Sequence, residues 1–500
     1  MKKYSSTLML LIALIIIVSA AKSWKVFNYP PLSEHQWRQS DCAAYTKTYY
    51  RNGTGLFKPG TYYLGGKEGR VVSEFPLIYY IAAKIEKLTG EHYWVSRGLT
   101  FFCYVIGLFA LLGCAKMWIP RSAYAIFPIL LLASSPYYFF YAINFLPNIP
   151  ALSFSFVGLY FFLRHEKEKL RLHLLLGTLF FMLATVLKPT DGGIIWLAYL
   201  LTWLCRKGFD KTSVEKWRAA GPMIASAVII GVSILSWTIY VNWYNDHYGN
   251  HQNLVGIYPV WEMDKELLVY TVKRILTEWI HVFQQRIIIW FLFLGLVVFI
   301  FKWKYLDPFL RLFTAFLMLG VFIYAILWFK AFTVHDYYQL PYALPAVFLA
   351  VTVIEYYVRN VLPRLSFSSR RIVITIMGLL VIISIYHNRN VQFNRYHNVP
   401  SGINLTLFEM EPYLRSIGIK YTDAVVSVPD QAPNSSLNAI NNYGYSEAFT
   451  NDTYNIRVFK SLGASYLIIS DSSYLNLPLY KPFTGKQIGY YKGIYVFDIR

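Results

Sequence analysis

Apolar positions along this chain come in long runs rather than in alternation. LMLLIALIIIVSAA follows Lys2 and Lys3 and closes by Ala21, and further runs lie near 98–118, 122–142, 148–163, 172–187, 191–205, 219–241, 286–301, 309–329, 338–358 and 372–387. Each approaches the length needed to cross a hydrocarbon core of roughly 30 Å, the shorter ones by tilting or close pairing. The first run resembles a signal peptide, but its small-residue cleavage site is weak and many runs follow, so it reads as an uncleaved span. The pattern predicts an all-α polytopic membrane domain of about eleven transmembrane helices over residues 1–389.

Polar positions between the runs alternate in charge. Lys116 and Arg121 stand in one connection; Arg164, Lys167, Lys169 and Arg171 in the next of the same side; then Arg206, Lys207, Lys211, Lys216 and Arg218. Lys302, Lys304 and Arg311 follow, and finally Arg359, Arg364, Arg370 and Arg371. The intervening short connections carry almost no cation beyond Lys188 and Lys330. The positive-inside rule makes the basic connections cytoplasmic, together with the N-terminus. An odd number of spans then puts the C-terminal segment, 390–500, outside the membrane.

Two further segments face the same side in bulk, 22–97 and about 242–285. Within the first, EFPLIYYIAAKIEKLTG puts Ile78, Ile81, Ala82, Ile85 and Leu88 on one helical face, with Pro76 at the first turn. This predicts a helix lying in the interface. In the tail, VVSV (425–428), SYLIIS (465–470) and GIYVFDI (493–499) read as strands. TLFEMEPYLRSIG (406–418) and DTYNIRVFKSLG (452–463) read as amphipathic helices ending at glycine. A small extracytoplasmic α/β domain is the expectation for 390–500.

Composition agrees with a membrane assignment and changes the reading of charge. The 500 residues are 56% hydrophobic and 15% charged, too few charges for a water-facing surface of that size. An aromatic share of 18%, with 42 Tyr and 14 Trp, suits interfacial belts as well as a ligand cavity. A formal charge of +20 in a soluble protein would point to nucleic acid; concentrated in short connections it points to the cytoplasmic face instead. Cys103, Cys114 and Cys205 lie in apolar runs and Cys42 stands apart, so no disulfide framework or CxxC metal pair exists.

The polar residues that invite a chemical reading gather on the outer side. Asp41, shortly after Arg38 in HQWRQSDCAAYTKTYYRNG, is either a general base for an attacking hydroxyl or a loop acid paired with Arg38. Glu74, opening the interfacial helix, is a catalytic or substrate-binding acid, or a carboxylate favoured by the helix dipole. Asn148, in NFLPNIPALSF, is a binding group or a helix cap. Lys188, in VLKPTDGG, breaks the charge bias of the outer connections; it is a phosphate contact, a partner of Asp191 or a snorkelling lysine. In KAFTVHDYYQLPYALP, His335, Asp336, Tyr337 and Tyr338 stand at head-group depth, where hydroxyls and an imidazole bind phosphate and Asp336 can fix the imidazole tautomer. Aromatic-belt anchoring explains the two tyrosines equally well. His335–Asp336 leaves a metal site open but unsupported, since the sequence indicates no third ligand for a divalent cation.

Familiar phosphate and nucleophile motifs are absent: GxxxxGK[ST], GxSxG and HExxH do not occur. The longest inner connection is about a dozen residues, too short for a cytoplasmic nucleotide-sugar domain. A lipid-borne donor reached from the membrane fits better.

Taken in order, these motifs resemble the GT-C class of integral-membrane glycosyltransferases. The bacterial branch similar to protein O-mannosyltransferases and the aminoarabinose transferase of lipid A is nearest. The resemblance rests on Asp41 in WRQSD, Glu74–Phe75–Pro76, Arg97 in VSRGLT, the proline-flanked stretch from Ser135 to Pro150, KPT at 188–190 and HDYYQLPYALP at 335–345. It spans roughly 1–390. The sequence departs from the pattern at Cys42 and Ala44, where Glu and Arg are usual, at Phe75 in place of Lys, and at Asn148 in place of Asp.

The resemblance implies sugar transfer from a polyprenyl-phosphate donor to a lipid, polysaccharide or protein hydroxyl of the cell envelope, at the outer face of the bacterial cytoplasmic membrane. It implies Asp41 as base and inversion at the anomeric carbon. Donor-phosphate or substrate contacts would come from Arg38, Arg97, Asn148, Lys188, His335, Asp336, Tyr337 and Tyr338, with Glu74 as a second acid. A transporter or flippase of a lipid-linked saccharide is the alternative class; internal repeats and midplane polar residues, its usual signs, are not evident. A non-catalytic assembly protein using the outer tail is a third.

Overall fold

The computed structural model describes residues 5–207, 214–250, 256–398, 402–448 and 456–500. Lys2, Lys3 and Lys211, counted above among the cytoplasmic cations, lie outside these residues, as does the start of the predicted 452–463 helix. The chain divides into two compact units: Met1–Phe27, Thr100–Trp237 and Gly256–Asn394 form one, and Asn28–Leu99, Thr238–Val255 and Arg395–Arg500 the other.

In the first unit every described apolar run is helical. By length and apolarity alone, fewer candidate spans than the expected eleven stand out among the described residues. Tyr93–Trp118, Ala220–Tyr248, Pro308–Thr333, Asp336–Arg364 and Phe367–His397 qualify alone as membrane-crossing helices. Among the described residues the number reaches seven if each of two bent pairs is one broken span, Ala123–Ala133 with Pro136–Ala142 at 71° and Lys265–Phe283 with Arg286–Phe301 at 100°. Ser5–Ala20 is a shorter apolar helix among the described residues, and Arg171–Leu187, at 17 residues and about 1.5 Å per residue, is several ångströms shorter than a core of roughly 30 Å. Asn148–Glu168 and Pro189–Lys207 are longer, but each carries polar residues at its ends.

Close helix packing in this unit depends on small residues. A Cβ at Gly177 would meet the Phe162 ring at 2.2 Å, and one at Gly192 would meet the Ala184 backbone at 2.6 Å. Helices approach where a side chain is missing, as membrane packing generally requires.

The second unit is built on a five-stranded sheet. Its strands are β1 (Val425–Val428), β2 (Gly444–Tyr445), β3 (Tyr466–Ile469), β4 (Gln487–Tyr491) and β5 (Ile494–Asp498), in the order β2-β1-β3-β5-β4. β1 runs parallel to β2 and β3, and β5 pairs antiparallel with β3 and β4. Both faces are covered, because alternate residues enter different cores. Tyr466 and Ile468 pack with Leu407, Met410, Leu437 and Ile440; Leu467 and Ile469 pack with Ile456, Phe459 and Tyr480.

The three predicted strands are present, but GIYVFDI begins one residue late. Lys492 and Gly493 take positive φ of 46° and 90° and form the two-residue turn between β4 and β5. The predicted 406–418 helix is a 3-10 turn, Leu405–Glu409, running into Met410–Ser416.

The first long polar segment joins this sheet. Tyr63 bridges Gly444 in parallel, with Gly444 N donating to Tyr62 O at 3.0 Å and Leu64 N to Gly444 O at 2.8 Å. The predicted interfacial helix spans Leu77–Thr89 and buries Ile78, Tyr79, Ala82, Ala83 and Glu86. Ile81 and Ile85 are half-buried and Leu88 is exposed, so the apolar face is split between the unit's interior and its surface.

Candidate functional site

The segment expected as a loop around Asp41 is a 17-residue helix, Gln36–Asn52, whose polar side chains are mostly buried. Its i, i+3 spacing sets Arg38 and Asp41 on one face, 3.8 Å apart. One terminal Arg38 nitrogen donates to both Glu74 oxygens, at 2.7 and 2.8 Å. Glu74 also accepts from the Tyr79 hydroxyl at 2.5 Å and from Ser73 Oγ. Tyr79 lies 3.1 Å from Cys42 Sγ. Asp41, Arg38 and Glu74 are thus brought into one connected group, and Glu74 sits in an ion pair rather than capping a helix.

Asn434 completes it from the distant tail. Its Nδ2 donates to Asp41 Oδ1 at 2.8 Å, while its Oδ1 accepts from the backbone of Tyr62 and Tyr63 at 3.1 and 3.0 Å. The sequence reading does not single out Asn434, which stands in the loop VPDQAPN (428–434). Asp430 holds that loop, accepting from Ala432 N at 2.9 Å and Ser436 N at 2.6 Å, as a turn-forming aspartate does.

Burial pushes the Asp41 carboxyl up to about 6, against the opposing pull of the Arg38 guanidinium and the Asn434 amide. Burial likewise pushes Asp430 up to about 6, with the backbone bonds from Ser436 and Ala432 opposing it and the Asp41 charge adding to it. The Cys42 thiol is pushed up to about 12 by burial, which makes it a poor nucleophile.

Arg97 is fully buried. It donates to the carbonyls of Tyr29 and Pro30 at 3.2 and 2.9 Å and lies 3.5 Å from Gln39 Oε1. Lys47, on the Asp41 helix, donates to Asn441 Oδ1 at 2.7 Å and Asn438 O at 3.0 Å. A buried lysine satisfied by a distant loop leaves no sequence signal.

The remaining residues read from the sequence belong to the other unit. Asn148 Nδ2 donates to Asp191 Oδ2 at 2.6 Å, both side chains being buried. Lys188 places its ammonium 4.9 Å over the Tyr338 ring. His335 stacks on Tyr337 at 5.5 Å and lies 5.8 Å from Tyr338. The Asp336 carboxylate accepts from Tyr141 and its carbonyl from Tyr137. Lys188, His335, Tyr337 and Tyr338 therefore form one cationic and aromatic group, with Asn148–Asp191 a separate pair. Among the described residues no group of three or more His, Cys, Asp or Glu is arranged to hold a metal ion.

A mostly helical membrane domain joined in sequence to a small mixed sheet, with an acid on a helix of the first long polar segment, defines the fold class. This chain has the GT-C fold of integral-membrane glycosyltransferases. Residues 73–237 match the family described as "Dolichyl-phosphate-mannose-protein mannosyltransferase". In structure the chain is similar to ArnT from Cupriavidus metallidurans in the apo state, with a TM-score of 0.62 and 12% identity over 99% of this chain and 97% of that one. ArnT bound to undecaprenyl phosphate gives 0.59 and 11%, covering 99% and 98%. The archaeal oligosaccharyltransferase AglB from Archaeoglobus fulgidus, in complex with an inhibitory peptide and a dolichol-phosphate, gives 0.56 and 13%, covering 97% and 73%. No curated protein sequence matches the chain.

Proposed function

We propose that the protein transfers a sugar from a polyprenyl-phosphate donor to a hydroxyl of a cell-envelope acceptor, at the outer face of the bacterial cytoplasmic membrane. The acceptor oxygen attacks the anomeric carbon, the bond from that carbon to the phosphate oxygen breaks, and the configuration inverts. Asp41 takes the acceptor proton, and the polyprenyl phosphate leaves as an anion. The observation that carries this reading is the buried Asp41 carboxylate, fixed between Arg38 and Asn434, with its pKa raised to about 6. A base near neutrality is ionised at working pH yet strong enough to accept a proton in the transition state.

The phosphate role is assigned on the other unit by itself. Lys188, with Tyr338 and His335 grouped around it, supplies the cation and donors that a departing phosphate needs, worth on the order of 3 kcal/mol per well-placed group. Asn148 supports through Asp191, and Tyr337 and Asp336 hold the aromatic group. Arg38 and Glu74 position Asp41, and Arg97 shapes the 29–30 segment. The lipid-phosphate donor is supported by the family match and by relatives solved with undecaprenyl phosphate or a dolichol-phosphate.

The test is transfer in membranes carrying Asp41→Asn at normal protein level. Transfer is expected to fall by about two to four orders of magnitude, and wild-type activity to drop as pH falls below about 6. Undiminished transfer in Asp41→Asn would sink the assignment. Movement of intact lipid-linked sugar across vesicles, with no polyprenyl phosphate released, would replace transfer with transport.

A further inference from the structure

The sheet unit contains a second polar site whose place follows from its topology. β1 and β3 are parallel neighbours, and the chain leaves their carboxyl ends toward opposite faces. After β1 it enters Ser435–Ile440, whose Leu437 and Ile440 pack on one face of the sheet. After β3 it passes to Tyr480, which packs on the other face. Two parallel strands whose continuations part in this way leave a crevice between their ends, the usual location of ligands in such sheets.

A cavity of about 730 Å³ occupies that place, lined by Asn404, Asp430, Gln431, Ser470, Asp471 and Tyr474 among others. The two strand ends are tied at its base, Ser470 N donating to Val428 O at 2.8 Å, and Asn404 Nδ2 to Ser470 O at 3.0 Å. Asp471 is exposed, with one oxygen accepting from Ser473 N at 2.9 Å. Tyr474, half-buried against Tyr480, supplies the one aromatic wall.

The lining chemistry selects a ligand class. Amides, hydroxyls and carboxylates beside an aromatic ring match sugar hydroxyls and the apolar face of a pyranose. Among the described residues no lysine or arginine lines the cavity, although the chain carries 47 of them. Two aspartates without a cation repel phosphates and uronic acids. The phosphate of a lipid donor is therefore excluded here, and a neutral or amino-bearing saccharide is favoured.

The crevice is also mechanically joined to Asp41. Asp430 lines the cavity and, through Ala432 and Ser436, closes the loop that carries Asn434 onto Asp41 Oδ1. We propose that this crevice binds a neutral saccharide segment of the acceptor, and that the Asp430–Ser436 loop carries the bound glycan beside Asp41. The inference rests on the glycosyl-transfer reading for its role, though not for the binding itself.

The experiment uses the full-length protein in nanodiscs on an array of neutral, amino-bearing and acidic oligosaccharides. Neutral or amino-bearing glycans are expected to be retained and acidic ones rejected. Ser472→Trp, at an exposed lining position, should weaken retention by about tenfold or more, while Ser472→Ala retains it and controls for folding. In a transfer assay, Ser472→Trp should raise the KM for acceptor and leave undecaprenyl-phosphate binding unchanged. Absence of any retained glycan, equal retention of acidic glycans, or wild-type retention by a folded Ser472→Trp would each overturn the proposal. If Asp41→Asn transfers sugar normally, the catalytic reading fails while glycan retention is unaffected, so the two failures are distinguishable.

Discussion

Burial suits Asp41 to the proposed role of base and makes it costly to fold. Its carboxyl rises from the ordinary 3.8 to about 6, so the unfolded chain releases this proton at lower pH than the folded one. Stability contributed at this position is therefore greatest in acid and declines as pH rises from about 4 through about 6. Asp41→Asn is expected to raise the thermal midpoint at pH 8, with the gain vanishing toward pH 4; scanning fluorimetry of detergent-purified protein reads both. A midpoint lowered equally at both pH values would show that the bonds to Arg38 and Asn434 outweigh desolvation. Asn434→Ala acts on the same carboxyl differently. It strands the Tyr62 and Tyr63 amides, at about 1–3 kcal/mol for a buried unsatisfied group, and removes the donor that lowers the Asp41 pKa. The acidic limb of the kcat/KM profile should move to higher pH; an unmoved limb would leave Asn434 a merely structural residue. Asp41 was legible because an acid after Arg38 in a long outer segment is conspicuous. Asn434 was not, because nothing local in VPDQAPN encodes a bond to a residue 393 positions away.

At the level of elements, legibility followed the strength of periodic signal. Apolar runs declare helices without any partner, and all the described runs are helical. The Asp41 helix was read as a loop because its face toward the interior carries Gln36, Gln39, Ser40, Thr46 and Lys47, so no amphipathic period marks it. β2 is two residues long and held chiefly by its neighbours, below what alternation can reveal. Bends such as the 71° break at Ser134–Ser135 require the tertiary setting, where Ser135 Oγ donates to the Phe283 carbonyl at 2.7 Å. The Arg171–Leu187 and Pro189–Lys207 pair illustrates how element packing reaches the residues proposed to hold the phosphate. Lys188 is the single residue between these helices, and Gly192 faces the Ala184 backbone at a distance no real Cβ tolerates. Gly192→Ala is expected to cost about 1–3 kcal/mol by overpacking. By displacing Asp191 it should also reduce activity more than Gly193→Ala, whose Cβ meets nothing within 4 Å. Equal activity of the two variants would show that the hairpin tolerates separation.

For the whole molecule, the distribution of charge decides more than its sum. A net +20 spread evenly would make a cation-coated surface; gathered into alternate short connections, it orients a polytopic chain. We propose that orientation follows from which connections are basic together with an odd number of spans, the parity on which the outside placement of residues 390–500 depends. It also accounts for the separation of chemistries along the chain. The acids proposed for proton transfer and glycan binding, Asp41, Asp430 and Asp471, occur in the segments that lack the basic connections. If orientation follows charge, Cys205, exposed beside Arg206 and Lys207, faces the cytoplasm, and the sheet unit faces outward. The other three cysteines are buried, so labelling is clean. In spheroplasts, a membrane-impermeant maleimide is expected to label Asn476→Cys, at an exposed position, and to leave Cys205 unreacted until the membrane is lysed. Labelling of Cys205 in sealed spheroplasts would invert the topology. It would place Asp41 on the cytoplasmic side and remove the envelope acceptor from reach.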